Sequence, residues 1–212
     1  MVVVEAEQQF QVATFRAESD YRDGRRPEQV SFGDAQADAT RRDFTINGLF
    51  FDPLTSQVHD WIKGEADLRA GIIRTIGAPT ERFGEDHLRM LRAIRFAARL
   101  GFVIEPDTLA AVQTHAAKIK VISAERIRDE LKKLFAPPGI PAARGLDLLR
   151  VSGLLEHVLP ELAATVACEQ SPDFHPEGTV FNHLRLMFTY LPAGADPLLP
   201  WCVLLHDIAK PL

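Results

Sequence analysis

The stretch Phe83-Gly84-Glu85-Asp86-His87-Leu88-Arg89-Met90-Leu91-Arg92-Ala93-Ile94-Arg95-Phe96-Ala97-Ala98-Arg99-Leu100-Gly101 decides how the rest of the chain reads. It predicts a single helix that stops at Gly101, a residue type that accepts the left-handed backbone after a last turn. Glu85 and Asp86 are expected in the first turn, where the helix macrodipole favours negative charge. At about 100° per residue, Met90, Ala93, Ile94, Ala97 and Ala98 share one face, the candidate core face. Arg89, Arg92, Arg95 and Arg99 share an arc of about 120° on the other side, and Asp86 continues that stripe one turn earlier.

The plainer alternative is a solvated charged face. Two features weigh against it. Only Glu85 before Arg89 offers an i,i+4 acidic partner, and the stripe holds arginine with no lysine. Planar guanidinium forks suit acceptors presented in pairs, such as phosphates or the edge of a base. An Asp and an Arg one turn apart present acceptor and donors side by side, as the edge of a base does.

The bulk properties bound the classes. The 212 residues make one to two domains, 46% hydrophobic and 25% charged, as in an ordinary globular protein. A net charge of −5 excludes non-specific nucleic-acid binding as the main role and allows an RNA substrate in a local basic cleft. No run of 18 apolar residues reads as a membrane span. The start Met1-Val2-Val3-Val4-Glu5 is not a signal peptide. Cys168 and Cys202 have neither metal-ligand spacing nor a disulfide framework, so a reducing cytoplasm is expected.

Outward from the arginine stretch, residues 1–16 predict two short strands with a turn between them, and residues 30–32 a further strand. Residues 21–27 read as a loop from Asp23-Gly24 and Pro27. Residues 38–49 predict a short helix. Phe50-Phe51 and Val58-His59-Asp60-Trp61 predict a hairpin, and Ala66-Asp67-Leu68 a short helical patch before the apolar run 72–76. Beyond residue 78 the pattern becomes helical, over 106–115, 124–135 (capped by Ser123), 142–151 and 153–158. The fold class expected is α+β, with units at 1–78, 79–160 and 161–212. In the last third, His175, His183 and the adjacent His206-Asp207 form a candidate divalent-metal cluster.

Several segments in order then resemble the tRNA nucleotidyltransferase and poly(A) polymerase family, in the class (class II) that includes bacterial CCA-adding enzymes. Residues Arg41-Arg42-Asp43-Phe44-Thr45-Ile46-Asn47-Gly48-Leu49 resemble its second motif. Asp60, Gly64-Glu65-Ala66-Asp67-Leu68 and Ile73-Arg74 resemble the third, between head and neck. Residues from Glu85 to Phe96 resemble the fourth, the nucleotide-selecting helix, and Ser123-Ala124-Glu125-Arg126-Ile127 with Glu130-Leu131 the neck motif that follows. On this resemblance, 1–78 is the C-terminal part of a nucleotidyltransferase head, 79–160 a helical neck that binds RNA and nucleotide, and 161–212 the start of a helical HD-type domain.

The resemblance implies that Arg42 contacts the phosphate or sugar of a nucleotide. Asp86 and Arg89 pair with an incoming C or A, and Arg92 and Arg95 hold its triphosphate. For Asp43 and Asn47, local capping and core hydrogen bonding is the preferred role. His183, His206 and Asp207 match the metal positions of an HD phosphohydrolase. The family's first motif, whose paired aspartates hold catalytic magnesium ions (Mg2+), belongs upstream of Val2. No candidate pair occurs in residues 1–20; Glu18 with Asp20 matches poorly. The chain is therefore expected to be shortened at both ends, with no catalytic residue of its own, binding nucleotide with weak or no turnover. The implied partners are the tRNA 3′ end, CTP and ATP. Poly(A) addition, a metal-dependent phosphohydrolase activity and a non-catalytic nucleotide- or RNA-binding remnant remain alternatives. An unpaired sheet edge is expected to favour aggregation or dimerisation, with the oligomeric state open.

Overall fold

The structure, a computed structural model, describes residues 1–6, 8–21 and 27–211. Within the loop expected at 21–27, residues 22–26 lie outside the described residues, and so do the side chains of Glu18 and Asp20.

The first unit is built from strand pairs. Strands β1 (Val2–Glu5) and β2 (Gln8–Gln11) form one antiparallel hairpin, and β3 (Arg16–Tyr21) and β4 (Pro27–Phe32) another. Helix α1 (Ala35–Thr40) follows, capped by Asp34, whose carboxylate accepts from the Ala37 N–H at 2.7 Å. It lies earlier than the helix expected at 38–49. The later part of that window is a 3-10 turn, Thr45–Asn47, because Phe44 is pulled into an extended bridge with Thr75. Strands β5 (Phe50–Asp52) and β6 (Gln57–His59) make the expected hairpin, with Phe50 opposite His59. Helix α2 (Gly64–Ala70) starts where Asp60 accepts backbone N–H groups of Ile62, Gly64 and Glu65. A Cβ on Gly64 would stand 2.2 Å from the Thr45 carbonyl oxygen, so only glycine lets α2 approach the Thr45–Asn47 turn.

The link to the helical part is stitched by polar side chains. Thr45 Oγ1 donates to Asp67 at 2.7 Å, Arg74 Nε donates to the same carboxylate at 3.1 Å, and Arg74 also faces Glu105 at 3.3 Å. Strand β7 (Ile72–Ile73) pairs in parallel with β8 (Val103–Ile104), so this sheet crosses the boundary expected near residue 78.

The single helix expected over residues 83–101 is two. Helix α3 (Pro79–Glu85) ends at Asp86, whose backbone is extended (φ −150°, ψ 105°), and α4 (Leu88–Leu100) begins afresh. Glu85 thus closes one helix rather than opening another. Asp86 accepts from the Leu88 N–H at 3.0 Å and so satisfies one of the free donors at the start of α4. Gly101 ends α4 with φ +74°, as expected.

The predicted core face of α4 is buried: Met90, Ala93, Ile94 and Ala97 have no exposure. It packs on α6 (Ala124–Phe135) and α7 (Gly139–Val151). Helix α5 (Pro106–His115), begun by Pro106 behind the Glu105 cap, covers α3. The short helices α8 (Leu155–Val158) and α9 (Pro160–Ala164) lead to α10 (Val180–Thr189) and α11 (Leu199–Leu205). Helix α10 packs on α7 through Phe181, Leu184 and Phe188, all buried, so the last third shares the core of α4 rather than forming its own. Among the described residues, no helix is long and apolar enough to cross a membrane.

Candidate functional site

A cleft of about 480 Å³ lies between the head turn and α4, lined by Arg41, Arg42, Asp43, Asn47, Asp86, Leu88, Arg89, Arg92, Phe96 and Arg126. Five guanidinium groups and two carboxylates line it, and Asp38 and Glu85 behind the lining pair with Arg41, Arg42 and Arg89. Its volume lies within the usual range for small-molecule sites, about 300–1,000 Å³.

Each wall is fixed by local chemistry. The C-terminal end of α1 delivers Arg41 and Arg42. The buried Asp38 holds both: Arg41 Nε donates to it at 2.9 Å, and Arg42 donates through Nε at 3.1 Å and Nη2 at 3.0 Å. Burial alone raises the Asp38 carboxyl, but these bonds and the Arg16 N–H outweigh it, so the group titrates below its usual 3.8. Arg42 Nη1 also donates to the Asn47 carbonyl at 2.8 Å, and its guanidinium lies 4.6 Å from the centre of the Phe50 ring. Asp43 accepts from Phe44 N and Asn47 Nδ2, each at 2.9 Å, through one oxygen, the local capping expected of it; its other oxygen takes Arg92 Nε at 2.7 Å.

The neck wall departs from the expected stripe. Asp86 and Arg89 both line the cleft, but their side chains take different partners; between the two runs only the Arg89 N–H to Asp86 carbonyl bond, at 3.0 Å. Asp86 accepts from Arg126 Nη2 of α6 at 2.7 Å, while Arg89 donates to Glu85, to the Arg82 carbonyl (3.0 Å) and to the Arg41 carbonyl (3.3 Å). Glu85 pairs with Arg89 at i,i+4, as the sequence suggests, and the acids for the next two arginines come from elsewhere in the fold: Asp43 for Arg92, and Glu130 for Arg95 at 2.6 Å. Arg95 does not line the cleft. It is folded onto Glu130 and the Phe96 ring (4.1 Å), so the geometry does not support the triphosphate role expected for it. Arg99 is committed to the carbonyls of Ala136 and Pro137 at the end of α6. Glu130 is buried, which alone raises its carboxyl; the bonds from Arg95 and Lys133 outweigh this and hold it below its usual value.

Arg126, which the sequence marks only as part of the neck motif, lines the cleft as well. Ser123 does not cap α6 with its side chain; its backbone carbonyl accepts from Ile127 instead. Asp43 and Asn47 line the cleft as well as capping locally.

The paired-carboxylate magnesium site of a head domain does not fit the residues at this cleft. Asp38, Asp43 and Glu130 are each matched to guanidinium groups, and Asp86 to Arg126.

At the other end, α10 and α11 bring His183, His206 and Asp207 together, with one ligand atom of each within 4.8 Å of the others. His175, Glu177 and His183 form a second such group that shares His183. Tetrahedral ligands at about 2.1 Å from a cation stand about 3.4 Å apart, so the donor set needs only a small closure to hold one. Two imidazoles with a carboxylate suit a zinc-like or other first-row divalent ion. Glu177 is held down to about 2 by its own backbone N–H, then by His183 and His175. Burial raises Asp207, but the Lys210 bond and the facing His206 and His183 outweigh it and keep it below its usual value.

Comparison with known proteins places these features. Residues 1–74 match the family described as the poly A polymerase head domain, and residues 101–165 match the probable RNA and SrmB-binding site of polymerase A. The CCA-adding enzyme of Levilactobacillus brevis is 46% identical over 149 residues, which is 70% of this chain and 37% of that protein. That of Latilactobacillus sakei is 39% identical over 197 residues, 90% of this chain and 49% of that protein. The chain thus spans less than half the length of these relatives. Among solved structures, the Bacillus stearothermophilus CCA-adding enzyme in complex with CTP superposes with a TM-score of 0.74 at 31% identity, covering 98% of this chain and 46% of that one. A tRNA nucleotidyltransferase complexed with a primer tRNA and an incoming ATP analog gives 0.57 at 25% identity, over 80% of this chain and 52% of that one. Head motif, arginine-lined neck helix and relatives agree, and the chain belongs to the CCA-adding tRNA nucleotidyltransferase and poly(A) polymerase family.

Proposed function

We propose that the cleft is the nucleotide-selecting site of a tRNA nucleotidyltransferase that adds C and A to the tRNA 3′ end from CTP and ATP, working in the cytoplasm. The observation that carries this is the meeting of Arg42, Arg92 and Arg89 with the acceptor Asp86 in one recess. Phosphates suit the guanidinium forks. Cytosine and adenine each present an exocyclic amine beside an unprotonated ring nitrogen. A carboxylate accepts from the amine while an arginine donates to the ring nitrogen, whereas uracil and guanine reverse both polarities. The relatives' name, and the CTP and ATP-analog complexes among the solved neighbours, support this over poly(A) addition. Phosphoryl transfer of this class uses divalent cations, and the carboxylates of this cleft do not supply their site.

The test is calorimetric binding of CTP, ATP, GTP and UTP to the chain and to Arg89→Ala. Preference for CTP and ATP, lost in the variant, is the expected result. Equal binding of all four would reduce the arginines to a phosphate clamp and refute base selection.

A second reading rests on the convergence of His183, His206 and Asp207, which supports a divalent-metal centre of the HD phosphohydrolase type. Residues 161–212 would then contribute to that unit. Metal content of the purified chain, and its loss in His206→Ala, tests it; a metal-free chain that takes up none on dialysis against Co2+ would end it.

A further inference from the structure

We propose that Glu177 is a positioning residue of the metal centre, holding His183 in the one tautomer that can coordinate alongside His206 and Asp207. The proposal rests on the metal reading given above. His183 belongs to both candidate groups, yet a neutral imidazole has a single lone-pair nitrogen to offer. Hydrogen bonding decides which nitrogen that is. A carboxylate only accepts, so His183 Nδ1 must carry the proton in its 2.6 Å contact with Glu177 Oε1. The lone pair of His183 is therefore on Nε2.

The same logic applies to His206. Its Nδ1 faces the Val203 carbonyl at 2.9 Å, and a carbonyl also only accepts, so His206 likewise keeps its lone pair on Nε2, 3.4 Å from Asp207 Oδ2. A nitrogen lone pair facing a carboxylate oxygen is repulsive unless a proton or a metal cation lies between them. Two imidazoles whose Nδ1 protons are both tied down thus share one group with Asp207, each with Nε2 left to coordinate. Glu177 cannot join through His183 Nδ1 as a second metal group without stripping the proton that it accepts. His175 donates to the same Glu177 oxygen at 3.1 Å, a second bond that holds the carboxylate in place. Glu177 is itself well placed to be rigid: its backbone carbonyl accepts from Asn182 Nδ2 at 3.1 Å, tying the loop to the first turn of α10. Carboxylates that accept from a ligating histidine in this way strengthen metal affinity by about 10–100-fold.

The experiment is equilibrium titration of the chain with Co2+, read by calorimetry and by the visible absorption of the bound ion. Glu177→Ala and Glu177→Gln are compared, with circular dichroism melting as the check on folding. Glu177→Ala is expected to weaken Co2+ binding by about 10–100-fold. Glu177→Gln should weaken it less, because the amide oxygen still accepts from His183 Nδ1. At saturation, both should show the wild-type absorption spectrum, since no ligand is lost. If Glu177→Ala does not fold, the Gln variant decides. Wild-type affinity in either folded variant overturns the proposal, and so does a saturated spectrum of altered shape, which would make Glu177 a ligand. A wild-type chain that takes up no Co2+ instead overturns the metal reading itself.

Discussion

Replacing Asp43 with Asn should weaken the fold and tighten nucleotide binding at the same time. Asp43 joins the head to α4 through Arg92 Nε at 2.7 Å, with the carboxylate 8% and the guanidinium 33% exposed. The Asn side chain keeps an oxygen for Phe44 N, but places an amide donor or a neutral acceptor where Arg92 had a charge. A hydrogen bond to a charged group is worth about 1.5–3 kcal/mol. Partial exposure of Arg92 screens this to about 1–2 kcal/mol. Glu130, 3.9 Å from Arg92, is too distant to replace the lost partner. In the free protein Asp43 therefore competes with any phosphate for Arg92, and removing that competitor transfers the same energy to binding. The expected outcome is a loss of about 1–2 kcal/mol in urea unfolding without nucleotide, and CTP binding tighter by about 5–30-fold in calorimetry. The gain should vanish in the Asp43→Asn, Arg92→Ala double variant. Folded Asp43→Asn that binds CTP more weakly than wild type would refute the reasoning and make Asp43 a contact of the nucleotide itself.

Glu130→Ala leaves the nearly buried Arg95 without its acid and should cost about 3–5 kcal/mol in chemical denaturation; a combined Glu130→Leu, Arg95→Leu change should cost less than the sum of the two single changes. Ile94→Ala opens a cavity on the fully buried face of α4 and should lower stability by about 2–5 kcal/mol, with nucleotide selectivity unchanged. Asp38 and Glu130 both titrate below their ordinary 3.8 and 4.5 in the folded chain. Their stabilisation is thus complete above those values and lost as pH falls through the lower folded ones. Urea midpoints measured from pH 7 downward should hold until about pH 4–5 and then drop, with a shallower drop in Asp38→Asn.

The parts of the fold that were legible in the sequence are those set by local pattern. The helices at Pro106–His115 and Ala124–Phe135 fall where periodicity and breakers put them, and the β5–β6 hairpin follows its turn chemistry. What stayed hidden depends on distant partners. Nothing local in Glu85-Asp86-His87 breaks a helix. The chain opens there because Asp86 bonds the Leu88 N–H and takes Arg126 from 40 positions away. The arginine stripe looked uncompensated because its acids, Asp43 and Glu130, stand 49 and 35 positions off. The two residues of β8 are too few to show an alternating pattern, and their pairing with β7 is a tertiary event. At the cleft, the composition of the stripe was visible but the identity of each arginine's partner was not. At the candidate metal group, His183, His206 and Asp207 were visible as types, while the contact of Glu177 with His183 Nδ1 needed the direction of a ring nitrogen.

The measurement that most directly tests base selection in the cleft is the ratio of CTP to UTP dissociation constants for the wild-type chain and for Asp86→Asn. Asn at 86 offers an amide donor that can meet the uracil carbonyl as well as an oxygen that can meet the cytosine amine. An acceptor at Asp86 that reads base edges predicts a wild-type preference for CTP that falls by about tenfold or more in the variant, since a good pair of base contacts is worth about 1–3 kcal/mol. A ratio unchanged by the substitution, with triphosphate affinity intact, would contradict it.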